Sequence, residues 1–219
     1  MIAIIPMKEH SARVPGKNIR SFCDKPLFYW IMNSLQYVNI TKVVINTDSR
    51  VIADMVKGYF PDVEILYRPE ELCGDMVTGN CLIKWTIEQL DDDEFLYTHT
   101  TNPLLSPAIM NKAIYLYQRF KKSGNFDSLL GVTKHHMRLF SLQATPINHD
   151  PHKLERSQDL LPVYEDNSTM YIFDRNTFSK NNSRIGDMPY MFEIPKYQGL
   201  DIDTEGDWLI AEAVMKCVV

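Results

Sequence analysis

Two stretches of this sequence carry residue types that can do chemistry together. The first follows the apolar run Ile2 to Met7, where a loop places Lys8, Arg13, Lys17 and Arg20 against the single acid Glu9, with Ser11, Pro15, Gly16 and Asn18 between them. A basic loop opening from a buried strand is how α/β proteins offer donors to a phosphate-bearing ligand. The plainer reading is a solvated turn that happens to be basic. The second stretch is Asp201-Ile202-Asp203. In an extended segment residues i and i+2 share a face, so both carboxylates point one way while Ile202 faces the core. Paired carboxylates repel, and a hard divalent cation resolves the repulsion; magnesium with phosphate oxygens completing its shell fits best. The competing assignment is a helix cap, with Asp203 or Thr204 at the start of the last helix and Asp207 one turn on.

Common phosphate cradles do not describe the loop. A Walker A motif would need Gly where Ser11 stands and Ser or Thr where Asn18 stands, and no G-x-G-x-x-G follows an apolar run. Two chemistries remain from the residues alone. One is nucleotidyl transfer, in which the basic loop holds a triphosphate and Asp-bound magnesium bridges it. The other is a nucleotide- or sugar-phosphate-binding module without turnover. No Ser-His-Asp or Cys-His constellation is signposted, and His135-His136 reads as surface or phosphate contact rather than a metal ligand.

The elements that must position these residues follow a βαβ rhythm. Strands are expected at Ile2 to Met7, Val43 to Ile45, Val63 to Tyr67 and Phe95 to Thr98, and helices at Pro26 to Tyr37, Val51 to Tyr59, Gly79 to Leu90 and Ala108 to Lys121. Asp24, Asp48 or Ser49, and Thr78 stand where caps are wanted. This alternation implies a doubly wound, mainly parallel sheet with ligands at the strands' C-terminal ends. The basic loop, the Asp48 loop, the Arg68 loop and the His99 loop then share one edge. From Ser128 the rhythm changes. A strand runs to Lys134, Phe140 to Ile147 suggests a β-ribbon, and a long polar stretch resembles an arm packed on another chain or over a site. Strands at Thr169 to Phe173 and Met191 to Ile194 return to the body before an apolar C-terminal helix.

Bulk properties narrow the class. A chain of 219 residues suits one domain, or one domain with an inserted arm, and 45% hydrophobic with 23% charged residues is ordinary for a soluble globular protein. The net charge of −5 argues against non-specific nucleic-acid binding. Cys23, Cys73, Cys81 and Cys217 show no C-x-x-C spacing and read as reduced thiols of a cytoplasmic protein. Ile2 to Met7 is too short for a signal peptide, and no apolar run approaches membrane-spanning length.

Taken together, the motifs resemble the acylneuraminate cytidylyltransferase family. The resemblance is carried by Ile4-Ile5-Pro6-Met7-Lys8 with Ser11 to Ile19, by Asn46-Thr47-Asp48-Ser49, and by Arg68-Pro69-Glu70-Glu71-Leu72 followed by Asp75 and Thr78. Thr101 to Leu104, Gln158 to Leu160, Pro162 to Tyr164, Asn167, Tyr171-Ile172 and Asp201 to Glu205 with Asp207 extend it, in order, along nearly the whole chain. It implies a single Rossmann-like nucleotidyltransferase domain over 1–219, with a dimerisation arm over about 134–167. Lys8, Ser11, Arg13, Lys17 and Asn18 would hold CTP phosphates, with Lys17 at the α-phosphate, while Arg68 and Thr78 help at the cytidine end. Asp201 and Asp203 would carry magnesium. His99, Arg138, Arg156 and Asn167 would lie near an acidic sugar, and a second subunit would complete the site. The implied reaction is attack by the sugar's anomeric hydroxyl on CTP, releasing pyrophosphate.

The sequence also departs from that family. Lys8 stands where Arg is common, Ala12 where Lys is, His99-Thr100 replaces a Gln-Pro pair, Leu105 an Arg and Ser168 a Gly. The nucleotide and metal parts match while the sugar pocket drifts, so the expected acceptor is a legionaminate- or pseudaminate-like acid rather than N-acetylneuraminate. Transfer to 3-deoxy-manno-octulosonate, transfer to a non-sugar acceptor, and a binding module without turnover stand as alternatives.

Overall fold

The computed structural model describes residues 1–74 and 76–218; Asp75 and Val219 lie outside the described residues. Among the described residues nine strands and six α-helices follow one another: β1 (Ile2–Met7), β2 (Ser21–Phe22), β3 (Lys25–Pro26), α1 (Leu27–Leu35), β4 (Lys42–Thr47), α2 (Arg50–Tyr59), β5 (Glu64–Tyr67), α3 (Gly79–Glu88), β6 (Glu94–Thr98), α4 (Pro107–Ser123), β7 (Ser128–His135), β8 (Val163–Asp174), α5 (Arg175–Asn181), β9 (Pro189–Glu193) and α6 (Glu205–Val218). The main sheet has the order β5-β4-β1-β6-β8-β7-β9. β8 is antiparallel to both of its neighbours, while β5, β4, β1 and β6 run parallel, as do β7 and β9. The expected mainly parallel, doubly wound α/β sheet is present.

The sheet is buried on both faces, which is why its central strands read as apolar runs without alternation. Ile5, Met7, Ile45 and Leu96 join α1, α2 and α4 in one core; Ile4, Val44, Tyr97 and Tyr171 join Ile83 and Ile87 of α3 in another. A third, smaller cluster gathers Val14, Phe22, Leu27, Ile202 and Trp208. It matters most for function, because it packs the basic loop against the segment bearing the two aspartates. The buried apolar residues at both ends act as the rivets.

Local chemistry sets the element ends. Ser49 and Thr78 cap α2 and α3 through Ile52 N and Cys81 N, as expected. Asp24 does not cap α1. It sits at φ +65° beside Cys23 in the tight turn between β2 and β3, and Pro26, at φ −58°, leads into the helix with no side-chain cap. The expected ribbon over Phe140 to Ile147 reduces to one bridge between Phe140 and Pro146. Pro146 lacks an N–H to extend the ladder. A true ribbon forms instead at the arm's base, where Val132 to His135 pair with Asp166 to Val163. β8 therefore starts earlier than expected and passes an irregularity at Leu130/Val132, with Ser168 at φ +55°.

Candidate active site

The C-terminal ends of β5, β4, β1 and β6 bring the expected loops to one edge, and polar contacts stitch them together. Glu9 N donates to Asp48 Oδ1 (2.9 Å), and Arg68 Nη2 donates to the Met7 carbonyl (3.3 Å) and the Asn46 carbonyl (3.1 Å). Arg68 Nε also bonds Asn46 Oδ1, and Arg68 Nη1 lies 3.9 Å from Asp48 Oδ2. Its side chain is only 4% exposed, and burial pulls its pKa below the usual guanidinium value. Arg68 thus pins three strand ends while keeping a place in the cavity wall.

The basic loop folds on itself before it meets anything else. Gly16 takes φ +60°, a conformation a side chain would strain, and its carbonyl accepts from Ile19 N and Arg20 N (both 3.0 Å). Asn18 ties the loop to β6: its Nδ2 donates to the Lys8 carbonyl (2.8 Å) and its Oδ1 accepts from Thr100 Oγ1 (2.5 Å). Around this loop lies a cavity of about 350 Å³ lined by Lys8, Ser11, Arg13, Lys17, Asn18 and Arg68, with Tyr97, His99 and Thr100 opposite. Six of the seven residues expected at the nucleotide thus share one cavity. Thr78 does not line it; its hydroxyl serves as the α3 cap, one turn from Leu82 in the wall.

A second cavity of about 460 Å³ holds Asp201, Asp203 and Asn167, together with His135, Glu165, Asp166, Lys196 and Asp207. Both aspartates therefore face one space while Ile202 is fully buried between them. Asp203 is not the cap. Thr204 and Asp207 close a reciprocal capping box: Thr204 N and Oγ1 each donate to Asp207 Oδ2 (2.7 Å), and Asp207 N donates to Thr204 Oγ1 (3.2 Å). That leaves Asp203 Oδ1 to pair with Arg13 Nη2 (2.7 Å) and Lys17 Nζ (3.5 Å). Lys17 Nζ also donates to the Ile202 carbonyl (2.7 Å). Lys17 and Arg13 line the first cavity and Asp203 the second, so the two spaces meet at these contacts.

Burial shapes the charges at that seam. Desolvation lowers the pKa of Lys17, although Asp203 and Asp201 oppose the shift. Burial also raises Asp201 above the usual carboxylate range, and its Oδ1 has no hydrogen-bond partner among the described residues. A buried carboxylate oxygen left unsatisfied is costly unless a cation or proton reaches it.

His99 stands edge-on to Tyr97 with ring centroids 5.0 Å apart. Burial, then the charges of Arg184 and Lys17, push its pKa down to about 3. Because the unfolded chain binds a proton near pH 6.5 and the folded one does not, the stability His99 contributes is full above that pH and is lost as pH falls. At pH 5 the loss is about 2 kcal/mol. His99→Gln is expected to flatten this acid limb in denaturant titrations between pH 7 and 5. An unchanged slope would show that His99 is protonated normally.

Asn167 is buried, its amide engaged by Thr133 Oγ1 (3.0 Å) and Thr169 Oγ1 (2.7 Å). Gly199 makes this possible, since a β-carbon there would stand 2.8 Å from Thr133 Oγ1 and 2.9 Å from Asn167 Nδ2. Arg138 and Arg156 lie in the arm, outside both cavities of this chain; Arg138 bonds the Glu155 carbonyl and Arg156 pairs with Asp159 (2.7 Å). Tyr97 drew no notice in the sequence beyond its strand, while Asn46 and Thr101 entered only as motifs of the resemblance and Thr100 only as a departure from it, none with a role at the site. Among the described residues no cluster of three metal-ligating side chains occurs, and no helix is long and apolar enough to cross a membrane.

Known proteins resemble this chain along nearly its whole length. A CMP-N,N'-diacetyllegionaminic acid synthase of Legionella pneumophila is 28% identical over 99% of this chain and 96% of its own length. A pseudaminic acid cytidylyltransferase of Campylobacter jejuni is 27% identical over 98% and 96%. Among solved structures, a CMP:2-keto-3-deoxy-manno-octonic acid synthetase complexed with CTP superposes at a TM-score of 0.72 with 13% identity, covering 100% of this chain and 99% of that one. A 4-diphosphocytidyl-2C-methyl-D-erythritol synthase of Anaerococcus prevotii does so at 0.67 with 16% identity, covering 98% and 97%. The cytidylyltransferase family model matches residues 2–198, and the chain belongs to that family.

Proposed function

We propose that this enzyme transfers CMP from CTP to the anomeric hydroxyl of a nonulosonic acid of the legionaminate or pseudaminate kind, with release of pyrophosphate. The observation that carries the reading is the seam where Lys17 and Arg13 reach from the basic cavity to Asp203 and the Ile202 carbonyl. CTP would lie in the first cavity with its phosphates on Lys8, Ser11, Arg13 and Lys17, and Asn18 and Arg68 would hold the loops in register. The acceptor would enter the second cavity. Its anomeric oxygen attacks the α-phosphorus and gives up its proton to solvent, while the bond from that phosphorus to the bridging oxygen breaks and pyrophosphate leaves with the electron pair. Lys17 is aimed at the position where charge builds, and the enzyme's work is positioning and neutralisation.

Asp201 and Asp203 would hold magnesium. The residues fit such an ion: two carboxylates face one space, and the buried Asp201 Oδ1 lacks a partner among the described residues. Bound there, magnesium would neutralise phosphate charge and polarise a phosphoryl oxygen. Arg138 and Arg156 line neither cavity of their own chain, which supports a homodimer in which the arm of 134–167 completes the partner's site. Exposed Leu142, Leu154 and Leu161 on that arm support the same reading. The work would be done in the cytoplasm.

The direct test is pyrophosphate release from CTP and magnesium with legionaminate, pseudaminate, N-acetylneuraminate, 3-deoxy-manno-octulosonate or no acid. Release is expected with one of the first two. Comparable turnover of N-acetylneuraminate and the diacetamido acids would overturn the acceptor assignment, and CTP binding without release for any acid would favour a binding module.

A further inference from the structure

Among the described residues, one guanidinium beside the site has no protein acceptor. Arg184 lies between α5 and β9, half-buried, with its guanidinium 3.8 Å from the Tyr171 ring centroid and 5.5 Å from that of Tyr97. These contacts hold a planar cation by its face and leave its N–H groups unspent. Among the described residues it makes no hydrogen bond and no ion pair. Arg175 shows what a structural arginine does in this fold, spending its guanidinium on the carbonyls of Ile87, Leu90 and Asp92. Arg13, Arg20 and Arg68 are likewise committed to protein oxygens.

The position of Arg184 gives it a use. Tyr97 lines the nucleotide cavity, and Tyr171 donates its hydroxyl to Asp166 (2.6 Å), which lines the second cavity. Tyr97 lies on β6 and Tyr171 on β8, so the two rings mark the step across the sheet from the β1 loop toward the acceptor side. The charge of Arg184 is felt at His99 in the cavity wall. Arg184 is not in the lining of either cavity and borders the second through Tyr171 and its partner Asp166. That cavity is strongly acidic, with Glu165, Asp166, Asp201, Asp203 and Asp207 around Lys196 and His135. An acidic substrate entering there needs cations with unspent donors, and Arg184 is the one that offers a planar fork.

We propose that Arg184 is a specificity-determining residue for the acceptor, donating through its guanidinium fork to a planar oxygen acceptor, either the carboxylate or an acylamido carbonyl of the acidic sugar. This rests on the proposed function. The test is steady-state kinetics of Arg184→Gln and Arg184→Lys in the full-length protein, with thermal melting as the control. In Arg184→Gln the KM for the acid rises about tenfold or more, the size of losing a hydrogen bond to a charged group. The KM for CTP stays within about twofold, kcat falls little, and the Lys variant recovers only part of the loss because the fork is gone. A structural role would lower the melting temperature and move both KM values together.

Two arms separate the sources of the oxygen. 3-Deoxy-manno-octulosonate, tested as substrate or competitive inhibitor, has a carboxylate but no acylamido group. Weakening of this compound along with the acylamido acids assigns the carboxylate; weakening confined to the acylamido acids assigns the carbonyl. An acid KM that stays at the wild-type value, or KM values for acid and CTP that rise alike, overturns the inference while wild-type turnover keeps the proposed function standing. Wild-type enzyme that releases no pyrophosphate with any acid overturns both.

Discussion

Asp203→Asn is expected to lower turnover about a thousandfold while the protein folds as before. The substitution keeps the volume and removes the charge that faces both the second cavity and the Arg13–Lys17 pair. Stability changes little because Asp203 is 41% exposed and Arg13 65% exposed, so the pair between them is a screened surface contact. Such contacts are worth up to about 1 kcal/mol, or about 3 °C in melting temperature for a chain of this length. Asp207→Ala is the informative control. It breaks the capping box and should cost about 1 kcal/mol of stability. Magnesium provides a readout independent of turnover: millimolar magnesium with CTP should raise the melting temperature of wild type and have a smaller effect on Asp203→Asn. Near-normal activity in Asp203→Asn would reduce the aspartate pair to a structural feature.

How far the sequence disclosed this arrangement depended on how local the cause was. The βαβ half was legible because its strands are buried on both faces and its helices carry their own caps, as Ser49 and Thr78 show. The seven-residue helix α5 was not, since Arg-Asn-Thr-Phe-Ser-Lys-Asn has no apolar period; Asp174 and burial of Phe178 make it helical. The early start of β8 was hidden for a similar reason. Its first residues pair only with the end of β7, and their exposure gives no hydrophobic signal.

The site divides along the same line. The side-by-side aspartates could be read from extended-chain geometry, and the basic loop from its charges. Which side chain caps α6 could not, because Asp203 and Thr204 are equally placed until Asp207 pairs reciprocally with Thr204. Asn18 was read as a phosphate ligand, yet its carbonyl oxygen and amide nitrogen both engage protein groups and hold the loop against β6. Arg184 was missed altogether. Its partners are two rings on different strands, and nothing near it in the chain announces them.

Lys17→Met should be the more damaging change to chemistry and the more selective one. Lys17 is the cation held at the seam: its side chain is 12% exposed, it donates to the Ile202 carbonyl, and its charge is felt at both aspartates. Methionine matches the length and apolar body of the stem but removes the charge, so turnover should fall about a thousandfold or more, as when a preorganised donor is removed from a developing oxyanion. CTP affinity should fall less, by about tenfold, because on the proposed reading Lys8 and Arg13 still meet the phosphates. That split, measured as kcat against the CTP dissociation constant, separates a group acting in the transition state from one that only binds. Lys17→Arg should not restore the rate, since a planar fork does not reproduce the compact ammonium that bonds the Ile202 carbonyl beside Asp203. In the ligand-free protein the same change strips Asp201 and Asp203 of a compensating cation, so the Asp201 carboxyl should rise further from its ordinary value. Turnover within about tenfold of wild type would mean that less than 1.4 kcal/mol of transition-state stabilisation passes through Lys17. The work of neutralising the α-phosphate would then fall to Arg13, its nearer neighbour on Asp203.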